Sequence, residues 1–483
     1  MNDALKVLFV AAEAAPFVKV GGLADSASAL PKALRRQGVD ARLLIPRYGH
    51  LRSKEYDFHR VGHSIPVPLG PAEEQVHLLQ TTIDDLPVYL IWDNKYFSAR
   101  EKVYGFNDDP QRFTFFSRAV IAAMKELDWQ PDIVHAHDWH TAPVITWLKV
   151  YGKKEPSYRD MATLYTIHNL AYQGICGRLI LTFGRMDSVP HLDVEPPGQL
   201  NWMAQGIAHA DLISTVSPTY AREILTGEDG MGLESLLKKR REDLFGILNG
   251  IDTDVWDPAE DTALAQTFDV DSLRMRSVNK AALQREAGLP ARSDVPLLGV
   301  VSRLDRLKGI ELLISGLESL LELEQEDVQV IILGTGDPDY EQQLRDLQTR
   351  FPERVRVYIR FDDRLARRIY GGVDLFLMPS LSEPGALGQM IAMRYGAVPV
   401  VRATGGLADA VLDADAHPSR GTGFVFEPYE VQAFVAALER ALKVYRNSSQ
   451  WQAVQRRAMT RDFSWDNSAK TYVDLYRRAL AVH

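Results

Sequence analysis

Cysteine is all but missing from this chain. Cys176 stands alone among 483 residues, which excludes an internal disulfide framework and makes a reducing compartment the expected setting. Long apolar runs are missing too: no stretch approaches the roughly 20 apolar residues of a membrane span. The run Val7–Ala12 is closed by Glu13, which suits a buried strand better than the core of a secretory leader. Nor is there an excess of positive charge. The net charge of −9 excludes a globally basic surface for nucleic acid or an anionic membrane. Low-complexity segments and short-period repeats are absent as well. These absences lead to the expectation of a cytoplasmic, soluble enzyme or binding protein with no nucleic-acid or membrane partner. If such an acidic chain handles anionic phosphates, a few local cations must do the work.

What is present is a strand–helix alternation. Lys6–Ala12 reads as a strand, followed by a loop through Gly21 and Gly22 and a helix over about Asp25–Gln37. Gly38 is the helix stop and Val39–Ile45 the next strand. Val88–Trp92, Ile133–Ala136, Ala162–Ile167 and Leu212–Val216 continue the strands, with helices near Gln111–Lys125, Ala142–Val150 and Pro218–Leu225. After an acidic stretch around Asp252–Asp271 the pattern restarts, with strands at Leu297–Val301, Val328–Leu333, Val355–Ile359, Leu375–Met378 and Val398–Val401. The pattern predicts an α/β protein of two doubly wound, Rossmann-like domains facing each other across a deep cleft, with ligands beyond the carboxyl ends of the strands. The expected boundaries are 1–255 and 256–462. Trp465–Leu480 reads as an amphipathic helix packed on a lobe, so 463–483 is assigned to the first domain.

Several segments carry chemistry. Lys19-Val20-Gly21-Gly22-Leu23-Ala24-Asp25 follows a strand and opens a helix, where backbone N–H groups attract anions and the two glycines allow close approach. An ordinary Gly-Gly turn with a solvated lysine explains that segment equally well. Arg303 and Lys308 lie just past a buried strand, where they would oppose the helix dipole if they served stability alone. An arginine fork and a lysine charge there suit a diphosphate leaving group. Glu383 sits in a strand-to-helix turn, as a holder of sugar hydroxyls or as a simple dipole partner. Gly385, Ala386, Leu387 and Gly388 offer backbone amides after it. His135, His137 and His140 lie within six residues, but no cysteine set accompanies them, and a zinc site is not expected. Asp138 and His168 read as strand-end residues facing the cleft.

Taken in order, the segments resemble bacterial glycogen synthase and plant starch synthase, glycosyltransferases of the two-Rossmann-lobe (GT-B) type. The matching stretches are K-V-G-G-L-A-D, Y-G-F-N-D-D-P-Q-R-F (Tyr104–Phe113), H-A-H-D-W-H, H-N-L-A-Y-Q-G, T-V-S-P-T-Y-A-R-E-I (Thr215–Ile224) and G-M-G-L-E (Gly230–Glu234). They continue with I-L-N-G-I-D-T-D-V-W-D-P (Ile247–Pro258), S-R-L-D-R-L-K-G, G-G-V-D (Gly371–Asp374), S-E-P-G-A-L-G-Q and T-G-G-L-A-D (Thr404–Asp409). The resemblance implies retaining transfer of glucose from ADP-glucose to the 4-hydroxyl end of an α-1,4-glucan or glycogen primer, with no metal ion and no other cofactor. It implies that Lys19, Gly21, Gly22, Asp25, Asp138 and Asn169 meet substrate and that His168 contacts the donor glucose. It further implies that Arg303 and Lys308 neutralise the diphosphate and Glu383 holds the glucose. Asn249 falls in the matching hinge-side loop, and Phe361 where the family often stacks a tyrosine on the nucleobase.

The chain departs from the family in two motifs. K-T-G-G becomes Lys19-Val20-Gly21-Gly22, and E-P-C-G-L-T-Q becomes Glu383-Pro384-Gly385-Ala386-Leu387-Gly388-Gln389, so a threonine hydroxyl that could reach phosphate is gone. Two alternatives therefore stand beside the glucan synthase: a related retaining transferase with another nucleotide-sugar or a short acceptor, and a catalytically weak α-glucan-binding regulatory protein on the same fold.

Overall fold

The computed structural model describes residues 4–51, 56–100, 102–323 and 327–483. The chain forms two α/β units, one of Met1–Gly250 with Trp465–His483 and the other of Ile251–Ser464. The first unit contains β1 (Lys6–Val10), β2 (Asp40–Pro46), β3 (His59–Leu69), β4 (Ala72–Ile83), β5 (Leu86–Trp92), β6 (Ile133–His137), β7 (Ala162–Ile167), β8 (Ile175–Gly177), β9 (Gln199–Asn201), β10 (Leu212–Thr215) and β11 (Leu244–Gly246). The second contains β12 (Leu297–Val301), β13 (Gln329–Gly334), β14 (Val355–Ile359), β15 (Leu375–Met378), β16 (Val398–Arg402) and β17 (Phe424–Phe426).

The first sheet runs β11-β10-β7-β6-β1-β2-β5-β4-β3, and β8 and β9 form a separate antiparallel ribbon. Pairing is parallel from β11 to β5, while β4 is antiparallel to both β5 and β3. The hairpin β3–β4 is an addition to the alternation read from sequence, which assigns no element to 59–83. Its edge strand carries Pro66 and Pro68 and is exposed at most positions of its first half, so it lacks the apolar run that marks the buried strands. Helices begin and end within a few residues of their expected bounds. The largest shift is at Gly22–Arg36, which starts three residues before Asp25.

The apolar strands need cover on both faces. One face of the first sheet is filled by residues such as Leu8, Val134, Phe113, Phe115 and Trp202. The other packs on the Gly22–Arg36 helix and on the C-terminal helix Trp465–Val482, which contributes Trp465, Tyr472, Leu475 and Tyr476. A buried polar chain ties that helix to the sheet. The Tyr476 hydroxyl lies 2.8 Å from His135 Nδ1, His135 Nε2 lies 2.5 Å from Thr166 Oγ1, and Thr166 lies 2.6 Å from Ser214 Oγ. Burial pushes the His135 imidazole well below its ordinary pKa, so the ring is neutral, and His135 belongs to the core. The second unit is a six-stranded parallel sheet, β14-β13-β12-β15-β16-β17, with its own core of Leu298, Val300, Ile332, Leu375, Val400 and Phe434 among others. No helix among the described residues is long and apolar enough to cross a membrane.

Tyr476→Phe removes one partner of a fully buried imidazole. It is expected to cost about 1–3 kcal/mol, read as a lower denaturation midpoint with an unchanged m-value; a midpoint equal to that of the parent protein contradicts this reading.

Candidate active site

Among the parallel strands of each sheet the strand order reverses once. The first reversal lies between β1 and β6 and the second between β12 and β15. Parallel strands on either side of a reversal send their following loops in opposite directions, leaving a crevice at the carboxyl ends. The loops after these four strands carry most of the chemically interesting side chains.

In the first unit, Glu13 follows β1 and is only 3% exposed. Its Oε2 accepts hydrogen bonds from the Val20 amide at 2.5 Å and the Gly21 amide at 3.2 Å. The Gly21 N–H is therefore engaged by an internal carboxyl. Gly21 caps the helix in an extended conformation, and a Cβ at Gly22 would meet nothing within 4 Å, so the space above that turn is open. Lys19 pairs with Asp25 at 2.8 Å, with the lysine side chain 48% exposed. Asp138 follows β6 with φ of +56°, a left-handed conformation that turns its carboxylate to accept from the His168 amide at 2.7 Å. The Asn169 amide adds to this hold. His168, one residue past β7, places Nε2 3.0 Å from His137 Nδ1. Beyond them His140 lies against the Trp139 and Tyr104 rings, at 4.2 and 4.8 Å. The Tyr104 hydroxyl, His140 Nδ1 and His137 Nε2 are buried without a hydrogen-bond partner.

Burial sets the protonation here. It lifts Glu13 to about 7, against the pull of the Val20 and Gly21 amides. It also lifts Asp138 to about 7, against the amides of His168 and Asn169. Burial lowers His168 and His140 to about 3, so both are neutral near pH 7. Neutral His168 contributes hydrogen bonding without adding positive charge. Asn249 is buried three residues past β11 and shares no hydrogen bond with this group.

In the second unit, Lys308 Nζ donates to both oxygens of Glu383 at 2.7 Å, across 75 residues of sequence. Ser380 Oγ donates to Glu383 Oε2 at 3.0 Å, and Glu383 is 5% exposed. Two close backbone contacts fix this geometry. Gly309 has φ of +68°, and a Cβ there would lie 2.0 Å from the Pro379 carbonyl oxygen. Gly405 has φ of +44°, and a Cβ there would lie 2.1 Å from the Glu383 carbonyl oxygen. Only glycine fits either position. The Leu381 amide donates to the Leu307 carbonyl at 2.9 Å, completing the docking of one loop on the other. Asp305 caps the turn by accepting from the Lys308 amide and also lies 3.4 Å from Arg303, whose side chain is 58% exposed. Gly385, Ala386 and Leu387 lead into the helix Gly388–Arg394, whose first amides have no intrahelical acceptor. Phe361, two residues past the edge strand β14, is 86% exposed and offers an uncovered ring face.

The structure thus gathers Asp138, Asn169 and His168 in one unit and Lys308 and Glu383 in the other. Glu13, His137 and Tyr104 were not singled out from sequence as site residues. Glu13 had a signal, as a lone acid closing an apolar strand, whereas the orphaned Tyr104 hydroxyl had none. Among the described residues no group of three or more His, Cys, Asp or Glu side chains is arranged to hold a metal ion.

A family described as starch synthase catalytic domain matches residues 6–239, and one described as glycosyl transferases group 1 matches 284–457. The chain is 46% identical to a glycogen synthase of Moorella thermoacetica, covering 99% of this chain and 98% of that one. It is 42% identical to a glycogen synthase of Thermotoga maritima, covering 99% of each. Among solved structures it is similar to the catalytic domain of starch synthase IV from Arabidopsis thaliana bound to ADP and acarbose, with a TM-score of 0.89, 34% identity, and coverage of 99% and 100%.

The raised Glu13 carboxyl has a signed consequence. Its folded pKa of about 7 exceeds its ordinary 4.5, so the folded state binds the proton more firmly. That contribution is full below about 4.5 and is lost as pH rises through 7. Relative to the parent protein, Glu13→Gln is expected to gain on the order of 1–3 kcal/mol in stability between pH 5 and pH 8. Denaturant unfolding at the two pH values measures this, and an equal pH response in both proteins contradicts it.

Proposed function

We propose, from the glycogen synthase family to which this chain belongs, that the protein transfers glucose from ADP-glucose to the non-reducing 4-hydroxyl end of an α-1,4-glucan, with retention at the anomeric carbon. The observation that carries this reading is the Lys308–Glu383 pair at the second reversal, with Arg303 exposed beside it. A cation with its carboxylate partner at a strand's carboxyl end matches a leaving diphosphate next to a sugar.

In this reading the second unit holds the donor and the first unit serves the acceptor. Arg303 and Lys308 stabilise the charge that develops as the C1–O bond to the diphosphate breaks. Glu383 takes sugar hydroxyls while Lys308 keeps its carboxylate oriented, and the amides of Gly385–Gly388 add donors near phosphate. Phe361 supplies an aromatic face for the base. Neutral His168 bonds the glucose near the reacting carbon, and Asp138, Asn169, Lys19, Gly21, Gly22 and Asp25 shape its surroundings. Asn249 supports the first unit's terminal loop. The acceptor's 4-oxygen bonds to C1 on the face the phosphate leaves, and its proton passes to the departing phosphate oxygen. Orientation and fixed charge then supply most of the rate, with no metal ion required. The lone Cys176 and the acidic composition suit a cytoplasmic enzyme.

The test is glucose incorporation into a glycogen primer from labelled ADP-glucose, UDP-glucose or GDP-glucose, with and without EDTA. Incorporation from ADP-glucose that survives EDTA is expected. A preference for UDP-glucose would reassign the donor, in keeping with the changed Gly385–Gly388 turn, and no transfer with retained glycogen binding would favour a regulatory protein.

A further inference from the structure

His135 and His137 of β6 share one face of the sheet, because side chains two residues apart in a strand point the same way. The Phe9 ring of β1 lies beside both, at 4.8 Å from His135 and 5.6 Å from His137. His135 has a hydrogen-bond partner on each ring nitrogen, Tyr476 and Thr166, and is a satisfied core residue. His137 is not. It is 1% exposed, and its Nε2 is buried without a partner. Among the described residues its ring makes one hydrogen bond, between Nδ1 and His168 Nε2 at 3.0 Å.

Stability alone does not account for a histidine at this position. Burial, with His135 and His168 close by, holds the His137 ring well below its ordinary pKa, so it is neutral. An apolar side chain of similar size would pack beside Phe9 without stranding a polar nitrogen. What the histidine adds is a single directional bond to a residue of the candidate site.

That bond acts on the part of His168 that its backbone leaves undecided. Asp138, which follows His137, accepts from the His168 amide at 2.7 Å and so fixes the main chain. The imidazole still has two orientations about its Cβ–Cγ bond, related by a half-turn that exchanges Nδ1 with Cδ2 and Nε2 with Cε1. Only one of them sets Nε2 against His137. In that orientation Nδ1 has no hydrogen bond among the described residues, and unlike His137 Nε2 it is not cut off from solvent, His168 being half-buried. Both rings are neutral and carry one N–H each, so the tautomer of His137 also dictates that of His168.

We propose that His137 is a positioning residue, which through its bond to Nε2 selects the ring orientation and tautomer with which His168 presents Nδ1 to the donor sugar. The sugar contact rests on the glucosyl transfer proposed above.

Two measurements test this and keep it separable from that reading. In the full chain labelled with nitrogen-15 histidine and free of substrate, a nuclear magnetic resonance coupling between His137 Nδ1 and His168 Nε2 across their hydrogen bond is expected. Turnover with ADP-glucose and a glycogen primer is then compared among variants, at a temperature where circular dichroism shows each folded. His137→Leu, close in volume and without a polar atom, is expected to lower kcat about tenfold. His137→Asn, whose amide can take the place of Nδ1 as donor or acceptor, is expected to stay within about threefold of the parent protein. In a His168→Ala background, His137→Leu is expected to have no further effect, because the ring it acts through is gone. A missing coupling in the parent protein, parental turnover by His137→Leu, or an equal loss with and without the His168 ring overturns the proposal. No transfer by the parent protein, with the coupling present, instead overturns the reading of the reaction and the sugar contact, not the pairing.

Discussion

A single ammonium bonded to both oxygens of one carboxylate organises the second unit's candidate site. Lys308 and Glu383 come from loops 75 residues apart, and their contact at 2.7 Å requires both loops to lie where they do. Gly309 and Gly405 make this possible by omitting side chains where the backbone of the Glu383 loop passes. A Cβ at either would push that backbone aside and break the pair. Ser380 completes the cradle, so Glu383 is nearly buried as well as paired. A buried pair gains little net stability, since its desolvation offsets its attraction. Its value here is orientation, with one charged group aimed at a developing charge and another held ready for hydroxyls.

The first unit solves a different problem. Its sheet ends bury two carboxyls, Glu13 and Asp138, and His137, with His168 half-buried beside them. Burial alone would make such groups unfavourable. Each carboxyl is therefore given backbone amides, Val20 and Gly21 for Glu13 and His168 and Asn169 for Asp138. The glycine loop, read from sequence as an anion cradle, thus serves first as the holder of an internal carboxylate. The Tyr104 hydroxyl, His137 Nε2 and His140 Nδ1 remain buried without a hydrogen-bond partner.

Much of this was legible in the sequence because buried parallel strands announce themselves as apolar runs with glycine and polar loops after them. Val328–Leu333 and Leu375–Met378 are strands within a residue of where the pattern puts them. The β3–β4 hairpin was not legible, because a half-exposed edge pair broken by Gly62, Pro66 and Pro68 has neither a continuous run nor a clean alternation. Lys308, Glu383 and Asp138 could each be named from position, and His168 once the family resemblance supported it. That Lys308 bonds Glu383, and that Asp138 bonds the His168 amide, could not, since spacing within a sequence does not report which loops meet. Glu13 was passed over for the same reason: its partners lie in a loop that only the fold folds back upon it.

The central claim is that Lys308 acts on the leaving diphosphate. Turnover of Lys308→Ala with saturating ADP-glucose and glycogen, measured at a temperature where circular dichroism shows the variant folded, tests it most directly. The account predicts a fall in kcat on the order of 10²–10³-fold; turnover equal to that of the parent protein would contradict it.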